Sequence, residues 1–508
     1  MNLKINYLWI ILIFLLIAFF IPLSFAPLFD LDEGAFSEAT REMIVRGDYI
    51  TTYLNGELRF DKPIFIYWLQ VISVKIFGLN EFALRLPSAL AGSIWAIAIY
   101  QFTKQNFNEK TAFFATIIMI SSLQINMIAK AAIADSLLNL FITLTMFNLY
   151  YYYTFREKKY LYWIFVFIGL GVLTKGPVAI MIPLVVSLLF FSYKSEFKLW
   201  LKMVFNPIGI LIFSMIALPW YILEYLAQGE LFINGFFFKH NISRFSSAME
   251  KHNGNIFYFI PVLLVGIMPF SYFIFKSINR QFLKNDLQLF LAIWFVFVFL
   301  FFSFSSTKLP HYIIYGYTPL FILIAFSLTK EYNKKYILTP LITFLSILLF
   351  FTEIINLFKD SIKDQLALVL IENAHESFDL FYRLSLILLI LGTIVAYKKI
   401  KSNTLFLSSM ALVMIITTNY IVIPTYGKLM QLPIKEAGLL AKDKKYQNII
   451  MYKINTPSFN VYYEGIVVKK TPKVGDIVFT KVTVLKDFKE YETLYLKNGF
   501  SLIKVGKI

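Results

Sequence analysis

The sequence predicts an all-α polytopic membrane protein that ends in a small soluble α/β domain. Three observations carry this prediction. Hydrophobic residues make up 58% of the 508 residues, and the mean hydropathy is +0.67. Charge-free apolar runs recur, beginning with Leu8 to Phe29, a run long enough to cross a hydrocarbon core about 30 Å thick. Beyond Pro424 those runs stop, and short segments of alternating character replace them.

Composition also excludes several classes. There is no cysteine, so neither disulfides nor thiolate metal sites are available. Four histidines leave little room for a histidine-rich metal cluster. The net charge of +17 is not a nucleic-acid footprint, because the excess lies in short loops between spans and in the C-terminal segment.

In chain order, thirteen spans are expected, at roughly 7–27, 82–103, 111–128, 133–153, 160–173, 177–193, 204–224, 255–275, 287–304, 310–329, 335–357, 379–397 and 404–423. The first is not expected to be a typical cleavable signal peptide, since a charged stretch follows directly. Lys175-Gly-Pro177 breaks the chain between the fifth and sixth spans. One alternate set of inter-span segments holds 18 Lys/Arg against 5 Asp/Glu, whereas the 25–81 loop holds 5 against 9. The positive-inside rule then places the N-terminus in the cytoplasm, and the 25–81 loop, the 225–254 loop and the C-terminus outside.

The 25–81 loop is a charged platform with two short helices. The first is expected from Asp30, where Asp30 and Glu33 have capping-box spacing, to a left-handed stop at Gly47. Asn55-Gly56 marks a turn. The second runs from Pro63 to Gly78, too short to span, and is expected to lie in the membrane interface. Residues 1–425 form the transmembrane domain. Residues 426–508 form the outer soluble domain, with strands expected at 448–453, 459–463, 476–480 and 501–505.

Chemistry-bearing residues gather on the outer side. Asp32 and Glu33 follow the first span, where a carboxylate can serve as a general base or merely favour a helix N-terminus. Lys62 sits at a helix start that repels cations, a placement that a bound phosphate would relieve. Asp135 stands in a tight outer turn, where an acid needs a partner or a function. His240 and Arg244 share a helix face at i, i+4, and arginine suits phosphate. Lys308, His311 and Tyr312 open the tenth span at the same level.

Together these stretches resemble the bacterial GT-C glycosyltransferases of the protein-mannosyltransferase-like superfamily. The resemblance rests on Asp32-Glu-x4-Glu-x2-Arg-Glu-Met43, Phe60-Asp-Lys-Pro63, Arg85-Leu-Pro87, Ala134-Asp135, Thr174-Lys-Gly-Pro177, His240-x3-Arg244-Phe245 and Lys308-Leu-Pro-x-Tyr312. It spans residues 1 to about 425, and it implies inverting transfer of a sugar from a polyprenyl-phosphate donor to an extracytoplasmic acceptor such as lipid A. By position, Asp32 resembles the family's catalytic aspartate and Asp135 its second acid. Lys62 and Arg244 resemble its phosphate-binding pair, with Tyr312 nearby. The resemblance also implies a possible divalent metal, for which Asp61, His240 and His311 are the candidates. The lipid-A-modifying branch has Asp-Glu-x-Arg-Tyr where this chain has Asp32-Glu-Gly-Ala-Phe36, so the sugar and acceptor do not follow. The alternatives are a same-fold enzyme acting on protein or polysaccharide, and a lipid or sugar flippase. The flippase is disfavoured by charges gathered at one membrane face and by the lack of an internal repeat.

Overall fold

The computed structural model of the chain describes residues 6–242, 255–277, 285–329 and 332–507. Among these, seven helices are long and apolar enough to cross a membrane. An eighth joins them if Lys335–Leu349 and Phe351–Leu357, bent by 67°, count as one span. The chain is therefore a multi-pass, mostly helical membrane protein with a C-terminal mixed sheet.

The helices Glu81–Asn106, Glu109–Ser121, Asp135–Phe155 and Tyr317–Leu328 form the centre of the bundle. Trp95, Phe113, Phe114 and Tyr317 are fully buried there. Several polar groups in this core pair with one another: Trp95 Nε1 donates to Thr318 Oγ1 at 2.8 Å, and Thr318 also meets Thr143 at 2.8 Å. Such pairing offsets the cost of burying a polar group where no water can satisfy it. Pro207–Gln228 and Leu380–Lys399 lie at the rim, each with only 17% of its most apolar window buried.

The platform follows its sequence signals closely. Its first helix, Asp32–Arg46, stops at Gly47 with φ +68°. Asn55 and Gly56, at φ 56° and 85°, join β1 (Tyr53–Leu54) to β2 (Glu57–Leu58), the two positive angles that a tight hairpin turn needs. The second helix is Phe65–Phe77, two residues later than the proline suggested, and it ends at Gly78 with φ +81°. The expected capping box does not form. The first helix has Leu31 at its N-cap with no side-chain cap, because the Asp30 carboxylate is taken by Ser458 of the C-terminal unit. Glu33 does reach back, accepting from Phe29 N at 2.9 Å.

The C-terminal sheet consists of β3 (Ile449–Met451), β4 (Val468–Lys469), β5 (Ile477–Lys481), β6 (Glu490–Lys497) and β7 (Phe500–Lys507), in the order β4-β3-β5-β7-β6. β3 is parallel to β4 and β5, whereas β7 is antiparallel to β5 and β6. Alternate residues take opposite faces. Ile450, Val478 and Ile503 form a small core of their own, while Met451, Phe479 and Leu502 join the core shared with the helices. The strand expected at 459–463 is instead part of a helix, Pro457–Tyr463. Pro457 pre-sets its first turn, and the segment packs on both Leu432–Asp443 and the first platform helix, so apolar residues are buried on more than one side.

Candidate active site

A cavity of about 600 Å³ lies where the platform, the helix bundle and the C-terminal unit meet. Of the ten residues selected from sequence, it brings together Asp32, Asp61, Lys62, Asp135, His311 and Tyr312. Glu33 and Lys308 do not line it. Lys308 is buried and donates to the Ser305 carbonyl at 2.6 Å. Arg244 lies outside the described residues. His240 falls in the helical segment Ile233–Ile242, and its side chain is likewise outside the described set.

The adjacent acids Asp32 and Glu33 have opposite surroundings. Asp32 opens the first platform helix, is exposed to the cavity, and has no hydrogen bond or ion pair among the described residues. Glu33 is buried and accepts four hydrogen bonds. Its Oε1 takes Arg85 Nε and Ala132 N, both at 2.8 Å. Its Oε2 takes Arg85 Nη2 at 2.7 Å and Phe29 N at 2.9 Å. Burial alone would raise the Glu33 carboxyl, but the Arg85 cation and these donors hold it below its ordinary value. Arg85 also donates to the carbonyls of Leu23, Ala26 and Pro27, tying the end of the first apolar run to the platform. Glu33 is thus a structural tie in this geometry.

Asp135, at the start of its helix, accepts Lys175 Nζ at 2.7 Å and Tyr315 OH at 3.0 Å on one oxygen. Lys175 is the last residue of the Lys158–Lys175 helix, before Gly176 at φ +79°. That supplies the partner an acid in a tight turn needs, and the Lys-Gly-Pro break is what delivers it. Asp61 does not cap the second platform helix. Its Oδ1 accepts Lys62 Nζ at 2.8 Å and its Oδ2 accepts Arg59 at 3.3 Å. Lys62 is therefore held in the cavity by an acid on its own loop.

Sequence reasoning passed over Arg59, Lys175, Lys239, Asn455 and Lys469, all of which line the cavity. Lys175 sits inside a motif already noticed, and Arg59 directly precedes another. Asn455 and Lys469 carried no signal, since only folding brings the C-terminal unit over the platform. For a metal, the described residues offer Asp61 and His311, and no group of three or more candidate ligands occurs among them. Asp61 is already bonded to two cations, so these residues do not make a fitting metal centre.

An open carboxylate among cations thus sits where a multi-span bundle, a charged platform and a C-terminal mixed sheet meet. The fold matches ArnT from Cupriavidus metallidurans, solved bound to undecaprenyl phosphate, with a TM-score of 0.82 over 98% of both chains at 18% identity. Residues 61–222 match the dolichyl-phosphate-mannose-protein mannosyltransferase family. The chain is 32% identical over 323 residues to the undecaprenyl phosphate-α-4-amino-4-deoxy-L-arabinose arabinosyl transferase of Yersinia pestis, covering 62% of this chain and 57% of that one. The same enzyme from Wigglesworthia glossinidia brevipalpis is 32% identical over 347 residues, 61% of its length. The chain thus matches less than two thirds of the length of these relatives. The resemblance first seen in its motifs holds, and it is to the aminoarabinose transferases.

Proposed function

We propose that this protein is an inverting glycosyltransferase that moves a sugar, aminoarabinose in the relatives' names, from undecaprenyl phosphate to lipid A. The observation that carries the reading is Asp32, an uncommitted carboxylate facing the cavity that Lys62, Arg59 and Lys175 also line. The acceptor hydroxyl gives its proton to Asp32 as its oxygen bonds the anomeric carbon. The bond from that carbon to the carrier phosphate breaks, and the electron pair leaves with the phosphate. Lys62 and Arg59, with Tyr312 and Arg244, stabilise the charge that develops there, the preorganised help that is often the largest catalytic contribution. Asp135, held by Lys175 and Tyr315, keeps that cation in place at the cavity wall.

The proposed setting is a bacterial inner membrane, with thirteen spans, a cytoplasmic N-terminus and the cavity outside. Residues 1–425 would be the catalytic domain and 426–508 the outer soluble domain. Asparagine cannot accept a proton, and general-base catalysis contributes about 10²–10⁴-fold, so Asp32→Asn should reduce transfer by that factor while donor binding persists. The test is mass spectrometry of lipid A, glycan and protein acceptors after incubation with lipid-linked donor. Transfer to protein or glycan alone would replace the acceptor, and translocation of donor without transfer would replace the enzyme by a flippase.

A further inference from the structure

We propose that Ser458, acting through Asp30, is a positioning residue by which the C-terminal unit sets the carboxylate of Asp32; the inference rests on the reading of Asp32 as the base. The chain between the first apolar run and the platform helix is held by Arg85 and Glu33 on one side. The C-terminal unit meets several of its remaining polar groups. Leu28 N donates to Tyr462 OH at 2.8 Å, and Asp30 N donates to Gln431 Oε1 at 3.4 Å. The Asp30 carboxylate takes two donors from Ser458, the backbone N–H at 3.0 Å on Oδ1 and the hydroxyl on Oδ2.

The fit is close enough to specify neighbours. A Cβ built on Gly34 would collide with Asp30 Oδ1 and would come within 2.7 Å of Ser458 N. Glycine at that position lets the C-terminal helix approach the platform helix closely. Asp32 is two residues beyond Asp30, at the first turn of a helix that lacks any side-chain cap. The orientation of that turn therefore depends on the Ser458 clasp on one side and on Glu33 on the other. Pro457, next to Ser458, lines the same cavity as Asp32. The C-terminal unit thus supplies both a wall of the cavity and the hold on its base.

A misplacement of about 1 Å at a reacting group can cost on the order of 10²-fold in rate. The experiment uses the full chain in lipid nanodiscs, with rates expressed per donor-binding site so that only folded molecules count. Ser458→Ala should lower kcat roughly ten- to a hundred-fold, with acceptor KM and donor affinity close to parental. Ser458→Thr, which keeps the hydroxyl, should restore most of the rate. In an Asp32→Asn background, Ser458→Ala should cause no further loss, because two changes acting through one group are not additive. Parental kcat in Ser458→Ala, a change in KM alone, or a multiplicative loss in the double variant would each overturn the proposal. Parental turnover in Asp32→Asn would instead remove the reading of Asp32 as base, a separate outcome seen without any change at Ser458.

Discussion

Glu33→Gln puts the division of labour between the two adjacent acids to the hardest test. Glutamine has nearly the shape of glutamate, but only one of its terminal atoms accepts hydrogen bonds. In the parent each carboxylate oxygen serves one Arg85 donor and one backbone N–H. Whichever way the amide turns, one Arg85 donor and one backbone donor lose their acceptor. A charge-assisted bond contributes about 1.5–3 kcal/mol and an orphaned buried donor costs about 1–3 kcal/mol. Removing one partner of a buried ion pair typically costs about 3–5 kcal/mol, so the two routes agree on a loss of about 3–5 kcal/mol. That is a large share of the roughly 5–15 kcal/mol by which folded proteins are stable. The assay is denaturant unfolding of the detergent-solubilised chain followed by tryptophan fluorescence, with Asp32→Asn measured beside it. Glu33→Gln should unfold far earlier than the parent, whereas Asp32→Asn should unfold at the same denaturant concentration as the parent. A Glu33→Gln protein of parental stability that no longer transfers sugar would refute the assignment and make Glu33 the base.

Three further outcomes are expected. Lys62→Ala should weaken binding of the lipid-linked donor roughly ten- to a hundred-fold, since a charge-assisted bond of about 1.5–3 kcal/mol is lost; titration of labelled donor measures it, and parental affinity would remove Lys62 from the phosphate site. A reporter fused at the C-terminus should behave as extracytoplasmic and one at Lys158 as cytoplasmic, and both on one side would break the thirteen-span layout. Burial pushes the Asp30 carboxyl up to about 7 from 3.8, against the two bonds from Ser458. A carboxyl raised in the folded state adds stability that is full below its unfolded value and is lost as pH rises through about 7. Between pH 5 and 8 that contribution falls by at most about 3 kcal/mol, and Asp30→Asn should flatten this part of the profile; an unchanged pH dependence in Asp30→Asn would show that Asp30 is not its source.

The sequence by itself determined the features that depend on neighbours along the chain. Apolar run length decides which segments can leave water, so the membrane-spanning character was legible at once. Gly47, Gly78 and Asn55-Gly56 mark stops and turns because their left-handed angles are local requirements. The candidate residues Asp32, Asp61, Lys62, Asp135, His311 and Tyr312 were also legible, since motif order survives in one dimension. What tertiary structure decided was which charge is already spent. Asp32 and Glu33 are equivalent as letters, yet Arg85, 52 positions away, consumes one and leaves the other open. Asp30 reads as a helix cap until Ser458, 428 positions later, takes its carboxylate. The 459–463 segment alternates like a strand, but a burial surface on several sides and Pro457 make it a helix. The energy of a buried charge depends on the partners packed around it, and those partners come from distant parts of the chain.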